Sequence, residues 1–338
     1  MTTVVPLPAA RLLSVLRTVA AEGRLSVPDL AARAGLDASE LAAAADQLLS
    51  HGLSTAPDGA WSGAADLLDA SLIEPLVVAR TRRPCALAVL GITGSTNDDA
   101  REALAGAPVE ELPAADQTRV VLAEGQEKGR GRRGRPWQSP VASNVYLTQI
   151  ERLPGGPQSA RGLSLVVGVA VAEALERLHG VNVQLKWPND LLVGGRKLGG
   201  ILVELAPAGS ACCALIGVGI NVRVPEYAAR EIDQAWVDLE SCGQSPPRRN
   251  EVAAALIASI ADALEVFRAS GFDARMRARW QTRDPFFGKQ VRVTSHEGTF
   301  LGTAQGIDAD GELLVDTDAG RRVIGAGEVS IRLVDEAS

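Results

Sequence analysis

Five cations crowd into the eight positions from Lys128 to Arg135 of the run Lys128-Gly-Arg-Gly-Arg-Arg-Gly-Arg-Pro-Trp137, and no acid stands among them. Like charges this dense repel one another unless an anion visits. Gly129, Gly131 and Gly134 let the backbone approach such a ligand closely, the arginine forks match phosphate or carboxylate oxygens, and Trp137 offers a face on which an adenine stacks. The competing reading is a solvated basic loop. The same residues spell G-x-G-x-x-G after a predicted strand, but the dinucleotide-binding fingerprint needs a helix to open at its third glycine. Here Pro136 and Pro140 follow, and the next element, Asn144 to Gln149, is strand-like. That context argues against a nicotinamide or flavin dehydrogenase.

A second segment, Lys186-Trp-Pro-Asn-Asp190, lies at the end of a predicted strand, with Arg196-Lys-Leu-Gly-Gly-Ile-Leu-Val-Glu204 close behind. Of the 34 basic residues only Lys128, Lys186, Lys197 and Lys289 are lysines, and two of these four sit here. A lysine at a strand end can place a compact positive charge on an anionic substrate, while Asp190 holds a metal or orients a nucleophile. The plainer alternative is a polar turn closed by Pro188 and capped by Asn189 and Asp190. In a third segment, Gly94-Ser-Thr-Asn97 precedes a short helix predicted over 98–105. Such residues serve first as helix N-caps, and with the helix amides they can also hold a carbonyl or anionic group of a ligand.

These segments need positioning elements, and the pattern supplies them. Residues 9–52 read as three helices (11–20, 27–34 and 38–51), broken at Gly23 and Gly35 and with Asp37 as an N-cap. A hairpin over 53–61, centred on Pro57-Asp58-Gly59, follows, and the whole has the spacing of a winged helix-turn-helix. A three-helix unit used for packing or dimer contacts is the alternative. Residues 1–65 carry four arginines against six acids, and the recognition-helix positions contain Asp37, Glu40 and Asp46 but no base, whereas DNA affinity rests largely on Lys and Arg at phosphates. A connecting helix is predicted over 64–78, then a boundary at Arg80, Arg82, Arg83 and Pro84. The middle of the chain alternates strands (86–90, 119–123, 144–149, 183–187, 199–205 and 212–220) with helices, notably 159–178 and 249–270, as a mixed α/β domain. From Pro285 onward five short strands (290–294, 300–307, 313–316, 321–324 and 329–333) suggest a small barrel.

The length of 338 residues fits two or three domains, and 46% apolar with 22% charged residues is an ordinary globular balance. The net charge of -7 means that nucleic acid contact must come from a local basic patch. The start MTTVVPLPAARLL is not built like a secretory signal. The uncharged stretch Leu205 to Val222 is interrupted by Pro207, Gly209, Ser210, Gly217 and Gly219, which suits two strands and a turn better than a membrane helix. Four cysteines (Cys85, Cys212, Cys213, Cys242) without a C-x-x-C, and three scattered histidines (His51, His179, His296), offer neither a disulfide framework nor a zinc site. The expectation is a cytoplasmic protein with no membrane segment.

Together the motifs resemble the bacterial biotin protein ligases, specifically the bifunctional ligase and biotin operon repressor type. The match rests on Ser95-Thr96-Asn97, on Gln126 followed by the glycine-arginine run and Trp137, on Lys186-Trp-Pro-Asn-Asp190, on Lys197-Leu-Gly-Gly-Ile-Leu-Val-Glu204 and on Gly217-Val-Gly-Ile-Asn221, in the family's order and at similar spacing. The resemblance implies a winged helix-turn-helix over 1–65, a connecting helix and linker over 66–83, a class II synthetase-like ligase domain over 84–284 and an SH3-like barrel over 285–338. It further implies that biotin and Mg²⁺-ATP form biotinyl-5'-AMP, and that biotin passes to a lysine of a biotin carboxyl carrier protein. By the same resemblance Lys186 and Arg132 are catalytic, and biotin is held by Ser95, Thr96, Asn97, Gln126, Arg130, Gly131, Arg132 and Lys186. The adenylate falls to Arg130, Arg132, Arg133, Arg135, Trp137, Asn189, Asp190 and Asn221, with no metal held by protein groups alone. Operator DNA would be met by Val27, Asp37, Ala38, Ser39, Glu40, Ala42, Ala43 and Asp46, with ligand-promoted homodimerisation. Gly94 stands where the family often has an acid, and the recognition helix lacks the usual bases. A lipoate-type ligase, and a ligand-sensing DNA-binding protein without ligase activity, are the competing readings.

Overall fold

The computed structural model describes residues 7–50, 53–63, 66–105, 117–153, 155–208, 211–295, 298–325 and 330–334. The chain opens with helices α1 (Ala9–Glu22), α2 (Val27–Ala34), α3 (Ala38–Ala43) and α4 (Ala45–Ser50), then a two-stranded hairpin of β1 (Ser54–Thr55) and β2 (Trp61–Ser62). Leu12, Leu16, Leu30, Leu41, Leu48 and Trp61 fill one small core. The single helix expected over 38–51 is two helices. Ala44 takes φ -91° and ψ 2° and caps the first, so Leu41, Ala44 and Leu48 all reach the core through a run of alanines too small to oppose the bend. The expected end of that helix, His51, lies outside the described residues.

The acids of α3 have a structural explanation. Asp37 accepts from the Glu40 N–H at 2.8 Å while Glu40 returns the bond to the Asp37 N–H at 3.0 Å, a reciprocal capping box. Glu40 also pairs with Arg11, and Arg24 and Arg33 pair with Asp58 and Glu22.

Helix α5 (Ala70–Thr81) begins six residues later than the pattern implied, because the Asp69 side chain caps the Ser71 N–H. Residues 64 and 65, part of the expected helix, lie outside the described residues. A seven-stranded sheet follows, built from β3 (Cys85–Thr93), β4 (Thr118–Gln126), β5 (Val145–Leu153), β6 (Gln184–Lys186), β7 (Asp190–Val193), β8 (Arg196–Ala208) and β9 (Ala211–Ile220). Its order is β3-β4-β5-β9-β8-β7-β6. Only β3 and β4 run parallel, joined through α6 (Thr96–Ala105); the other neighbours are antiparallel. Strand β7 was not expected. The polar segment 187–189 is the turn of a hairpin in which Lys186 stands opposite Asp190. The apolar stretch from Leu205 becomes the end of β8 and all of β9.

Period-two alternation divides the sheet into two faces. Ala214, Ile216, Val218 and Ile220 of β9 enter the main core with α7 (Leu163–His179) and α10 (Arg249–Ser270), whereas Cys213 and Leu215 face α6 with Ala100, Leu104 and Ile150. Helix α7 is apolar nearly all round and correspondingly buried. Short helices α8 (Glu226–Ala229), α9 (Leu239–Cys242) and α11 (Ala274–Gln281) were not expected. Five strands then form one antiparallel sheet in the order β13-β12-β11-β10-β14: β10 (Gln290–Ser295), β11 (Gly298–Ile307), β12 (Leu313–Thr317), β13 (Gly320–Ile324) and β14 (Ser330–Leu333). Its inner residues Val291, Val293, Leu313 and Val315 join the main core, and the Trp187 indole N–H donates to the Gly311 carbonyl at 3.0 Å. His296, in an expected turn, and Val329, in the last expected strand, lie outside the described residues. No described helix is long and apolar enough to cross a membrane.

One buried ion pair ties the linker to both layers. Arg249 and Glu124 side chains, each 2% exposed, meet at 2.8 Å. Arg249 also donates to the Asn144 carbonyl at 3.0 Å, and Glu124 accepts the Leu68 N–H at 2.7 Å. Removing one member leaves the other charge buried alone, at a cost of about 3–5 kcal/mol. Arg249→Met is therefore expected to lower the urea-unfolding free energy by an amount of that order, and a loss under about 1 kcal/mol would show that the pair is dispensable.

Candidate active site

Two adjoining cavities open between the C-terminal ends of β3 and β4, the face of β8 and β9, and β14. The first, of about 380 Å³, is lined by Ser95, Thr96, Asn97, Gln126, Arg130, Gly131, Arg132, Arg135, Trp137, Asn189, Asp190 and Asn221. These residues come from four separate segments of the sequence, and the fold brings them together. The second, of about 760 Å³, is lined by Lys186 and Arg133. Those two residues line the second cavity and not the first, and Lys186 faces Asp190 across the turn at 187–189. Arg132, Arg135, Asn189 and Asp190 line both cavities and form their boundary.

The first cavity has an uncharged hydrogen-bonding floor. The Thr96 N–H donates to Gln126 Oε1 at 3.0 Å, and Thr148 Oγ1 lies 2.6 Å from Asn97 Oδ1 and 2.9 Å from Thr96 Oγ1. Ser95, Thr96 and Asn97 are all buried. Backbone space is made by glycine. A Cβ on Gly217 would stand 2.6 Å from Asn97 Oδ1, and one on Gly219 would stand 2.9 Å from the Trp137 ring. The Trp137 indole N–H is buried and has no hydrogen-bond partner among the described residues.

The boundary is cationic. Lys197 Nζ reaches Asp190 Oδ1 at 2.7 Å and lies 5.4 Å from the Trp137 ring centroid; Lys186 Nζ is 3.8 Å from Asp190 Oδ2 and 5.8 Å from the Phe286 centroid. Burial pushes the Lys186 ammonium below its ordinary value, Asp190 opposes that shift, and Lys197, Arg135 and Arg332 add to it. Desolvation likewise leads the lowering at Arg132. Arg130 differs, since its bonds to Asp98 and Glu204 hold the proton more firmly than usual. Among the described residues no cluster of three His, Cys, Asp or Glu side chains is placed to hold a metal.

Several residues escaped expectation. Thr148 of β5 bonds Thr96 and Asn97 from behind the floor, Arg332 of β14 lines both cavities, and Trp236 lines the first. Lys197 carried a signal, as one of four lysines in an arginine-rich chain, but its place in the site was not drawn. Glu204 closes a motif that was read, and its two arginine partners were not foreseen.

The N-terminal surface residues are placed differently. Asp37, Ala38, Ser39, Ala42, Ala43 and Asp46 are exposed, and Val27 and Glu40 are half-buried.

The biotin/lipoate A/B protein ligase family matches residues 109–221, and the biotin protein ligase C-terminal domain matches residues 286–332. The chain is 38% identical over 252 residues to the bifunctional ligase/repressor BirA of Escherichia coli, covering 74% of this chain and 75% of that protein. The chain belongs to the biotin protein ligases. It is also 34% identical over 249 residues to the biotin--[acetyl-CoA-carboxylase] ligase of Mycobacterium tuberculosis, covering 72% of this chain and 88% of that one. Among solved structures, the biotin protein ligase of Aquifex aeolicus in complex with biotin and ATP superposes with a TM-score of 0.61 at 28% identity, over 74% of this chain and 99% of that one. In this ligase fold the mixed central sheet and the C-terminal sheet meet at the cavities.

The slot beside Gly219 yields a direct check. Gly219→Ala forces the Trp137 ring to move, and overpacking of this kind costs about 1–3 kcal/mol. Equilibrium unfolding should show that loss together with a changed tryptophan emission; a variant matching the native protein in both would mean the ring is not confined there.

Proposed function

We propose that the protein activates biotin with ATP to biotinyl-5'-AMP and transfers the biotinyl group to a lysine of a biotin carboxyl carrier protein. The observation that carries this reading is the pairing of an uncharged, hydrogen-bonding cavity floor with a cationic boundary. The floor suits the ureido and thiophane rings of biotin, held by Ser95, Thr96, Asn97, Gln126 and Gly131. The boundary suits two anions that must approach each other. In the first step a carboxylate oxygen attacks the α-phosphorus, forming the mixed anhydride and expelling pyrophosphate. In the second a carrier lysine amine attacks the acyl carbon, expelling AMP and losing a proton. Lys186 and Arg132 oppose the repulsion between carboxylate and phosphate and stabilise the charge that builds in the transition state. Trp137 stacks on adenine, and its unpartnered N–H is available to a ligand acceptor. Arg133, Arg135, Asn189, Asp190 and Asn221 complete the nucleotide site.

Mg²⁺ fits this site only as the companion of ATP. Asp190 and Asp233 both line the two cavities, Asp190 is already engaged by two lysines, and a magnesium ion bound with ATP would supply charge neutralisation on the phosphates.

In this reading residues 1–65 form a winged helix-turn-helix, 66–83 connect it, 84–284 form a class II synthetase-like ligase domain and 285–338 an SH3-like domain, in a cytoplasmic protein. The relatives named bifunctional ligase/repressor support a further role. With biotinyl-5'-AMP as corepressor, the protein dimerises and binds the biotin operator through the exposed face of α3 and α4.

Lys186→Ala should reduce biotin-dependent ATP–pyrophosphate exchange by at least a hundredfold with an unchanged melting curve, and near-normal exchange would remove Lys186 from the mechanism. The intact enzyme should prefer biotin over lipoate in the same assay; the reverse preference overturns the substrate. A titration of operator DNA should show binding only with biotin and ATP together. Its salt slope should be shallow, since so few basic side chains face outward from the N-terminal helices. Carrier biotinylation without DNA binding would leave the ligase standing and remove the repressor role.

A further inference from the structure

The two ends of the glycine-arginine loop are joined to each other across the cavity floor. At one end the Arg130 guanidinium faces two carboxylates: its Nη1 and Nη2 lie 2.6 and 2.7 Å from Asp98 Oδ2 and Oδ1, and Nη2 is 3.1 Å from Glu204 Oε2. The same Glu204 oxygen accepts from Arg101 at 3.1 Å and from Asn97 Nδ2 at 3.0 Å. Because Asn97 spends its amide N–H on Glu204, its carbonyl oxygen is turned to Thr148. Thr148 meets Thr96, Thr96 meets Gln126, and Gln126 Nε2 donates to Ser139 Oγ at 3.0 Å. Ser139 donates in turn to the Trp137 carbonyl at 3.0 Å, at the other end of the loop. Burial alone would raise the Glu204 carboxyl, but hydrogen bonds from Arg130 and Asn97 and the two guanidinium charges bring it below its ordinary value, so it is ionised where it must hold them.

We propose that Glu204 is a positioning residue that makes the biotin-ring floor and the adenylate loop one mechanical unit, and that Arg130 serves as its anchor rather than as a cation for the ligand. The proposal rests on the ligase reading for what the loop covers. It replaces the direct ligand contacts expected of Arg130, whose donors point to Asp98 and Glu204. It also explains why an acid is placed among the residues that surround an anionic intermediate: Glu204 stands behind the floor, where it fixes Asn97 and the loop stem together. An ordering of one side of the network is therefore felt by the other, through bonds that each hold a single geometry.

The test is a double-mutant cycle on the full chain with Glu204→Gln and Arg130→Met, in which the native protein's biotin-dependent adenylate formation serves as the control on the ligase reading itself. Each single variant should release preformed biotinyl-5'-AMP at least tenfold faster. Glu204→Gln alone should also raise the KM for biotin severalfold, with kcat changed less than twofold. The double variant should release the adenylate no faster than the worse single one. Independent of any ligand, trypsin should cut the ligand-free Glu204→Gln chain between 128 and 135 at least fivefold faster than the native chain, with equal cutting elsewhere. Should Glu204→Gln fail to fold, Asp98→Asn, at the more exposed anchor, should reproduce the faster loop cleavage and adenylate release. Native release and cleavage rates in either variant, or single effects that multiply in the double variant, would overturn the proposal, whereas a native protein unable to activate biotin would overturn only the ligase reading.

Discussion

Repulsion between like charges governs this molecule. An acidic chain gathers Arg130, Arg132, Arg133, Arg135, Lys186, Lys197 and Arg332 around adjoining cavities, and that concentration is tolerable only where carboxylates or a visiting anion offset it. The offsets are divided by position. Asp98 and Glu204 neutralise the loop stem, Asp190 lies between the two lysines, and the remaining positive charge lines the boundary between the cavities. Coulomb interactions at such half-buried sites are several times stronger than in bulk water, which is the physical basis of the role proposed for Lys186 and Arg132.

The uncharged half of the site depends on backbone proximity. Glycines at 217 and 219 let β9 pass beneath Asn97 and Trp137 without side chains of its own, and the alternation along β9 sends Ile216, Val218 and Ile220 to the helical layer instead. The strand that supports the core therefore also forms the cavity wall. The C-terminal sheet is part of the same construction. It shares the main core and contributes Arg332 to both cavities, so the last sheet and the central sheet hold the boundary jointly.

Much of the site was legible because its residue types are clustered: the glycine-arginine run, Ser95-Thr96-Asn97 and Lys186-Trp-Pro-Asn-Asp190 each concentrate polar chemistry in a few positions. What escaped is solitary. Thr148 is a single threonine with no motif around it in β5, and Arg332 stands in a short alternating strand about two hundred residues from the glycine-arginine loop. The Arg249–Glu124 pair is long-range and has no local signature. Helix α10 was read at its true limits, α7 starts four residues later than expected because 157–160 form a separate 3-10 turn, and α8, α9 and α11 are too short to show a period. The acidic character of α3 was visible, but its cause, a capping box plus a pair with Arg11, required the structure.

The central claim is that one end of the site reads an uncharged ring system and the other holds two anions at a cationic boundary. A crystal structure of the protein with a non-hydrolysable analogue of biotinyl-5'-AMP tests it most directly. The account predicts the bicyclic ring against Thr96, Asn97 and Gln126, the phosphate between Arg132 and Lys186, and adenine on Trp137. A phosphate seated over the Thr96 and Asn97 floor, or a bicyclic ring beside Lys186 and Asp190, would contradict it.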